Sequence, residues 1–285
     1  MMGLPVQGQD TKSQFNPVEH AVISQTIAPD ARSAGMGDVG AATDPDVNSQ
    51  YWNPAKYPFC ISRAGIALNY TPWLRQLVND IDLAYVAGYY RIGDYAAISG
   101  SLRYFSLGEV MTSMDENAMT VKPYEMSLDV GASLMIPVDE YNRFTIAADA
   151  NKLLVPTVPK QNDNETTEEY ERRVLDEYSE VSAISGIFKS FSDAPGGFKE
   201  ELQEVQWSVG AEYIYHDQFS LRAGYHHESE NKGNRKYFTV GGGFRMNVFS
   251  LDVGYVISTA KSNPLDQTLR FTLAFDMDGI KDLFK

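Results

Sequence analysis

From Cys60 to the end of the chain, apolar and polar residues alternate with a period of two. In the run from Met126 to Leu134, Met126, Leu128, Val130, Ala132 and Leu134 share one side. Ser127, Asp129, Gly131 and Ser133 share the other. Such alternation belongs to a strand whose two faces meet different surroundings. It recurs at 205–213, 249–255 and 269–275, and more weakly at 61–70, 82–91, 95–105, 143–152, 219–228 and 237–246. The pattern therefore predicts ten strands.

The connections between these strands alternate in length. Short ones fall at 92–94, 138–142, 216–218 and 246–248, and long ones at 72–81, 106–123, 155–202, 229–236 and 259–265. Outer-membrane barrels have short periplasmic turns and longer extracellular loops, whereas a soluble sandwich has no reason to alternate. The polar side of the strands carries Arg63, Arg103, Asp129, Asp149, Glu212, Arg222, Arg245, Asp252 and Arg270. The apolar side is rich in Tyr, Phe and Trp near strand ends, as in aromatic girdles at a membrane interface. The expected fold is all-β, a transmembrane antiparallel outer-membrane β-barrel in contact with outer-membrane lipid.

The chain ahead of the strands divides in two. Residues 1–16 are polar and unpatterned, which predicts a flexible arm. Residues 17–59 are rich in Gly, Ala, Asp and Asn and alternate poorly. Small residues let backbone approach backbone, so this segment is expected to form a hatch or plug against the polar strand face. Within it, Asn53-Pro54-Ala55 precedes the first strand. Asn53 is expected to bond backbone groups inside the barrel, with Pro54 fixing the turn. The barrel is expected over 60–285, with a long extracellular loop at 155–202.

Charge and composition narrow the function. A net charge of -14 argues against a nucleic-acid partner. No run of eighteen or more apolar residues predicts a membrane helix. The start of the chain lacks a secretory signal pattern, so an outer-membrane destination implies that a signal was removed or replaced. Cys60 stands alone and reads as a packing residue. His226 and His227 are adjacent on a strand and face opposite ways, so they cannot share a metal without a kink. Gly241-Gly242-Gly243 lies within a strand and reads as a bend or a close contact with the hatch. No nucleophile with a supporting base stands out. The expectation is a protein that is not an enzyme, with no catalytic residues, metal or cofactor.

The longest loop carries a different signal. Tyr170, Val174, Tyr178, Val181, Ile184, Phe188 and Phe191 recur at helical steps over 165–191. Thr166 and Glu169 offer a capping box, and 194–197 ends the run. Ile184, Ile187, Phe188 and Phe191 form its most apolar part. The helix either caps its own barrel or presents these residues to a partner groove.

Several segments resemble a known family. Ala31-Arg32-Ser33-Ala34-Gly35-Met36-Gly37, followed by Asn53-Pro54-Ala55 before the first strand, is similar to the hatch of FadL-type barrels. Residues 26–38, 51–56, 148–157 and 186–197 resemble the PorV branch, from the type IX secretion system of Bacteroidetes. The resemblance implies fourteen strands where the alternation yields ten. It implies a barrel that binds a large outer-membrane translocon pore. It further implies capture of secreted cargo through a C-terminal signal domain, and delivery to a surface attachment complex. The alternative is a FadL-like channel for hydrophobic small molecules.

Overall fold

A computed structural model describes residues 27–72, 81–107, 127–153, 166, 168–170, 172–173, 176, 188–192, 194, 197–259 and 265–278. The predicted arm at 1–16 lies outside the described residues, as does most of the loop at 155–202. The strands are β1 (Ala64–Pro72), β2 (Ile81–Arg91), β3 (Ala97–Leu107), β4 (Ser127–Pro137), β5 (Asn142–Leu153), β6 (Gln206–Tyr215), β7 (Phe219–His227), β8 (Lys236–Arg245), β9 (Phe249–Ser258) and β10 (Leu269–Asp276).

They form one ten-stranded sheet in the order β3-β2-β1-β10-β9-β8-β7-β6-β5-β4. Every described pairing is antiparallel, and first and last strands meet from Gly65↔Asp276 to Tyr70↔Phe271. These ten strands are the ten segments read from the alternation, displaced by a few residues at their ends. The stretches 106–123 and 155–202, where the extra strands implied by resemblance would fall, lie largely outside the described residues.

The sheet is inside out relative to a water-soluble one. Along β1, Ile66 and Leu68 are 43% and 47% exposed, while the alternating Ala67 and Asn69 are buried. Along β6 and β10, Trp207, Val209, Leu269 and Phe271 face outward, and Ser208, Glu212, Arg270 and Thr272 are buried. Charged side chains are almost never fully buried unless paired. A large contiguous apolar exterior is not tolerated in water. Both features suit strands with lipid outside and a polar interior.

The tight turns share one end. His216 and Asp217 both have φ of 53°, and Gln218 N donates to Tyr215 O at 3.1 Å. Two consecutive positive φ values make the two-residue turn that matches strand twist. Between β4 and β5, Asp139 Oδ1 accepts from the amides of Tyr141 and Asn142 at 2.8 Å each. The Tyr141 amide first, and then the Asn142 side chain, hold this exposed carboxyl below the usual carboxylate range.

On the polar face lie α1 (Ala31–Gly35), α2 (Ser49–Trp52) and a 3-10 helix (Pro54–Phe59). A further helix, α3 (Phe198–Glu204), enters β6. Sequence reading ended helical structure at 194–197 and missed α3, whose seven residues are too few for a convincing period. In the long connection, Thr166 Oγ1 accepts from Glu169 N (3.3 Å), and the Glu169 carboxylate accepts from Thr166 N (3.0 Å). This is the reciprocal capping box, and residues 168–170 and 188–189 are helical.

The two ends of the sheet should differ in access. A cysteine at Glu230, exposed in the β7–β8 connection, is expected to react with an impermeant thiol reagent on intact cells. One at Asp217 should react only after the outer membrane is opened. Labelling of Asp217 on intact cells would invert the topology.

Candidate functional site

The N-terminal segment lies directly on the inner face because the sheet offers it glycine. Gly210 and Gly224 face each other across β6 and β7, and Gly241 and Gly254 across β8 and β9. A methyl group on Gly210 or Gly224 would overlap the Met36 main chain. On Gly254 it would come within 2.8 Å of Ala31 O, and on Gly241 within 2.9 Å of Gly35 Cα. These glycines therefore seat α1 and the turn after it. Gly37 itself has φ of 76° against the Tyr225 backbone, where a side chain has neither space nor a favoured conformation.

Wall side chains then satisfy the segment's amides. Ala31 N donates to Thr272 Oγ1 (2.8 Å) and Gly37 N to Thr239 Oγ1 (2.7 Å). Gly40 N and Ala41 N both donate to Asp149 Oδ2, at 2.7 and 2.8 Å. The first turn of α1 is capped by Asp30, whose Oδ2 accepts from Ser33 N at 2.8 Å. Trp52 Nε1 donates to the other Asp30 oxygen at 2.7 Å. Burial, and then the nearby Asp46, push the Asp30 carboxyl above the ordinary range despite these donors.

Charge completes the attachment. Arg32 pairs with Glu212 of β6 and with Asp46, each at 3.0 Å. Glu212 also accepts from Arg222 of β7 at 2.7 Å, and Arg222 reaches Asp252 of β9 at 2.6 Å. The result is an alternating chain, Asp46–Arg32–Glu212–Arg222–Asp252, tying the segment to three strands. Separately, Arg270 of β10 pairs with Asp38 at 2.6 Å, and Tyr237 OH donates to the same carboxylate at 2.6 Å.

Asn53, Pro54 and Ala55 stand where this segment turns toward β1. Asn53 Nδ2 donates to Ala41 O (3.2 Å), its Oδ1 accepts from Ala55 N (3.1 Å), and Pro54 opens the 3-10 helix. Lys56 Nζ adds bonds to Gly40 O (2.7 Å) and Thr43 Oγ1 (3.2 Å). Cys60 is buried beside Tyr57 and Tyr89. His226 is buried against Ser208 and Tyr237, while His227 stacks on Trp207, so the two rings do face opposite ways.

A second constellation sits at the long-loop end. Lys152 Nζ bonds Glu201 (2.9 Å) and Glu204 (2.7 Å) of α3, and Lys232 Nζ bonds Glu200 and Glu204 at 2.9 Å each. Glu228 joins Arg235 at 2.9 Å and accepts from Gln206 at 2.8 Å. This clamp holds one side of α3 down and leaves Phe198 and Leu202 exposed on the other. Phe188 and Phe191 are also exposed, at 72% and 46%. Of the expected partner-facing residues these two are described, and Ile184 and Ile187 lie outside the described residues. Phe198 and Leu202 were not foreseen, although their four-residue spacing opposite Glu200, Glu201 and Glu204 was a usable signal.

Beneath the N-terminal segment, a cavity of about 270 Å³ is lined by Arg32, Glu212, Arg222 and Asp252, with Arg143 and Asp217 among its other walls. Its charges are largely engaged with one another. Among the described residues no group of three or more His, Cys, Asp or Glu is placed to hold a metal ion.

An inverted antiparallel sheet with a polar, segment-lined inner face defines a strand-built protein of the outer membrane. The model of the PorV family, described as type IX secretion system protein PorV, matches residues 9–137. The matched stretch, less than half of the 285 residues, is similar to that family. No curated protein matches it. Among solved structures, the Ralstonia pickettii toluene transporter TbuX is 11% identical at a TM-score of 0.36, covering 92% of this chain and 98% of that one. A Pseudomonas aeruginosa FadL homologue is 11% identical at 0.36, covering 87% and 98%. The COG4313 outer membrane channel from Pseudomonas putida F1 is 12% identical at 0.33, covering 78% and 98%. At these TM-scores the likeness decides nothing about pore, substrate or mechanism.

Removing Glu212 tests the charge chain. Glu212→Ala leaves Arg32 and Arg222 buried without their shared partner, a change that costs about 3–5 kcal/mol. The folded form should lose its heat-resistant mobility in detergent gels at a markedly lower temperature. An unchanged transition would show that the chain of charges does not hold the segment.

Proposed function

We propose that this protein binds the large translocon pore of the type IX secretion system, accepts secreted cargo through its C-terminal signal domain, and passes cargo to a surface attachment complex. The family match carries the secretion assignment. The observation that carries the binding role is the exposure of Phe188, Phe191, Phe198 and Leu202 at the long-loop end, beside a helix that ion pairs hold in place. Large apolar anchors held on an ordered support are what a protein partner reads best. Ile184 and Ile187 are assigned to the same surface from their place in the sequence.

The rest of the molecule supports a scaffold. We take residues 17–59 as a plug within a closed barrel of 60–285, with Asn53, Pro54 and Ala55 fixing the passage from plug to wall. Fourteen strands remain the expectation that the family resemblance implies. A FadL-like channel would need an apolar chamber for its substrate. The cavity next to the segment has the ion-paired Arg32, Glu212 and Arg222 among its walls, beside apolar Phe59, Ile214 and Phe219, and those fixed buried charges favour binding over conduction.

Burying one large apolar side chain contributes roughly 1.5–3 kcal/mol. Phe188→Asp with Phe191→Asp should therefore weaken partner binding by about a hundredfold or more. Recovery of the translocon in affinity purification should fall, and secreted proteins should accumulate in the periplasm, while the barrel stays folded. Full recovery with normal secretion would remove these side chains from the mechanism.

A further inference from the structure

We infer that the cavity at the short-turn end is a docking site for a periplasmic protein, which inserts a short peptide carrying carboxylates beside a large apolar side chain. The cavity lies between the N-terminal segment and the ends of β4 to β9. Arg32 and Asp44 of the segment form its floor, and the turn residues Asp217 and Gln218 stand at its rim. A ligand therefore enters from the side that the topology gives to the periplasm. Its volume of about 270 Å³ falls just below the roughly 300–1,000 Å³ of small-molecule pockets and suits a few side chains.

Two features of the opening point to a peptide. The first is apolar surface in water. Phe59 and Ile61, between the segment and β1, border the cavity and are 76% and 98% exposed. Neither belongs to a lipid-facing strand, and Ile214 continues their surface inward. The second is positive charge. Deeper in, Arg32 and Arg222 are taken up by Glu212 and Asp252. Nearer the rim, Arg143 reaches the mostly exposed Asp217 at 3.5 Å, and its buried Nε has no hydrogen-bond partner. Arg245 stands exposed at the rim, outside those pairs. Asp44 lies on the segment side by Arg32, which donates to its carbonyl oxygen at 3.1 Å.

These features choose among occupants. Arg143 and Arg245 come from β5 and β8, three strand spacings or about 14 Å apart along the wall. Two guanidinium groups on opposite sides of one opening suit carboxylates spaced along an extended peptide. A free anion would leave Phe59 and Ile61 without a use. A phospholipid headgroup would have to leave the outer surface and cross the rim to reach inward-facing arginines. On a chain of net charge -14, an acidic peptide is repelled elsewhere and steered to this rim. The site shares no residue with the long-loop surface, so it stands or falls separately from the proposed cargo role.

The test is photocrosslinking in intact cells, with benzoylphenylalanine in place of Ile61. Tyr95, 94% exposed in the β2–β3 turn at the same end, is the control position. The expected result is an adduct with one periplasmic protein, mapped to a peptide with two or more Asp or Glu beside a large apolar residue. Tyr95 should not give that peptide. Arg143→Gln with Arg245→Gln should lower the yield about tenfold or more, since both charge-assisted contacts are lost. Heat-resistant mobility in detergent gels reports folding of the variant, and Arg245→Gln alone replaces it should the pair fold poorly. No adduct, an adduct with lipid alone or with a second copy of this chain, or a mapped peptide without carboxylates would each overturn the inference. So would a yield that the folded arginine variant leaves unchanged.

Discussion

Glu212 sits almost wholly buried between two arginines of different origin, Arg32 from the N-terminal segment and Arg222 from the neighbouring strand. A carboxylate in that place is tolerable only because both cations are present, and each cation is tolerable only because of the carboxylate. The sheet turns its apolar side outward, so its polar side must find partners within. The segment supplies them with Arg32, Asp38 and its amides. In return the wall supplies Glu212, Arg270, Thr239, Thr272 and Asp149.

Shape and charge act together here. The glycines of β6 to β9 bring the main chain of Ala31–Gly37 onto the wall, which puts its amides within reach of short side chains. Larger residues at those positions would lift the segment and strand the same charges without partners. Exposed apolar groups also stand at the long-loop end, where Lys152 and Lys232 hold α3 in place.

Much of this was legible in the sequence, for identifiable reasons. A strand with lipid on one side and polar groups on the other has to alternate, so β4, β6, β9 and β10 announced themselves and the weaker copies, β1 among them, followed. The inward-facing Asp149, Glu212, Arg222, Asp252 and Arg270 were visible as the polar half of that pattern, though who pairs with whom was not. Partners such as Arg32 and Glu212 lie 180 residues apart, a separation that no local rule bridges. The small residues of 31–37 marked close packing, but the matching glycines on four separate strands acquire meaning only once the register is known. Helix α3 was missed because its stability comes from Lys152 and Lys232, outside its own seven residues.

Whether the N-terminal segment is truly part of the folded wall is the point on which the rest turns, and amide hydrogen exchange reads it most directly. In the folded protein held in lipid nanodiscs, the amides of Ala31, Gly37, Gly40 and Ala41 should exchange as slowly as those in the centres of β6 to β9. Their donors are bonded to Thr272, Thr239 and Asp149 and shielded from water. Exchange of those four amides as fast as that of Asp217 in the exposed turn would contradict the account.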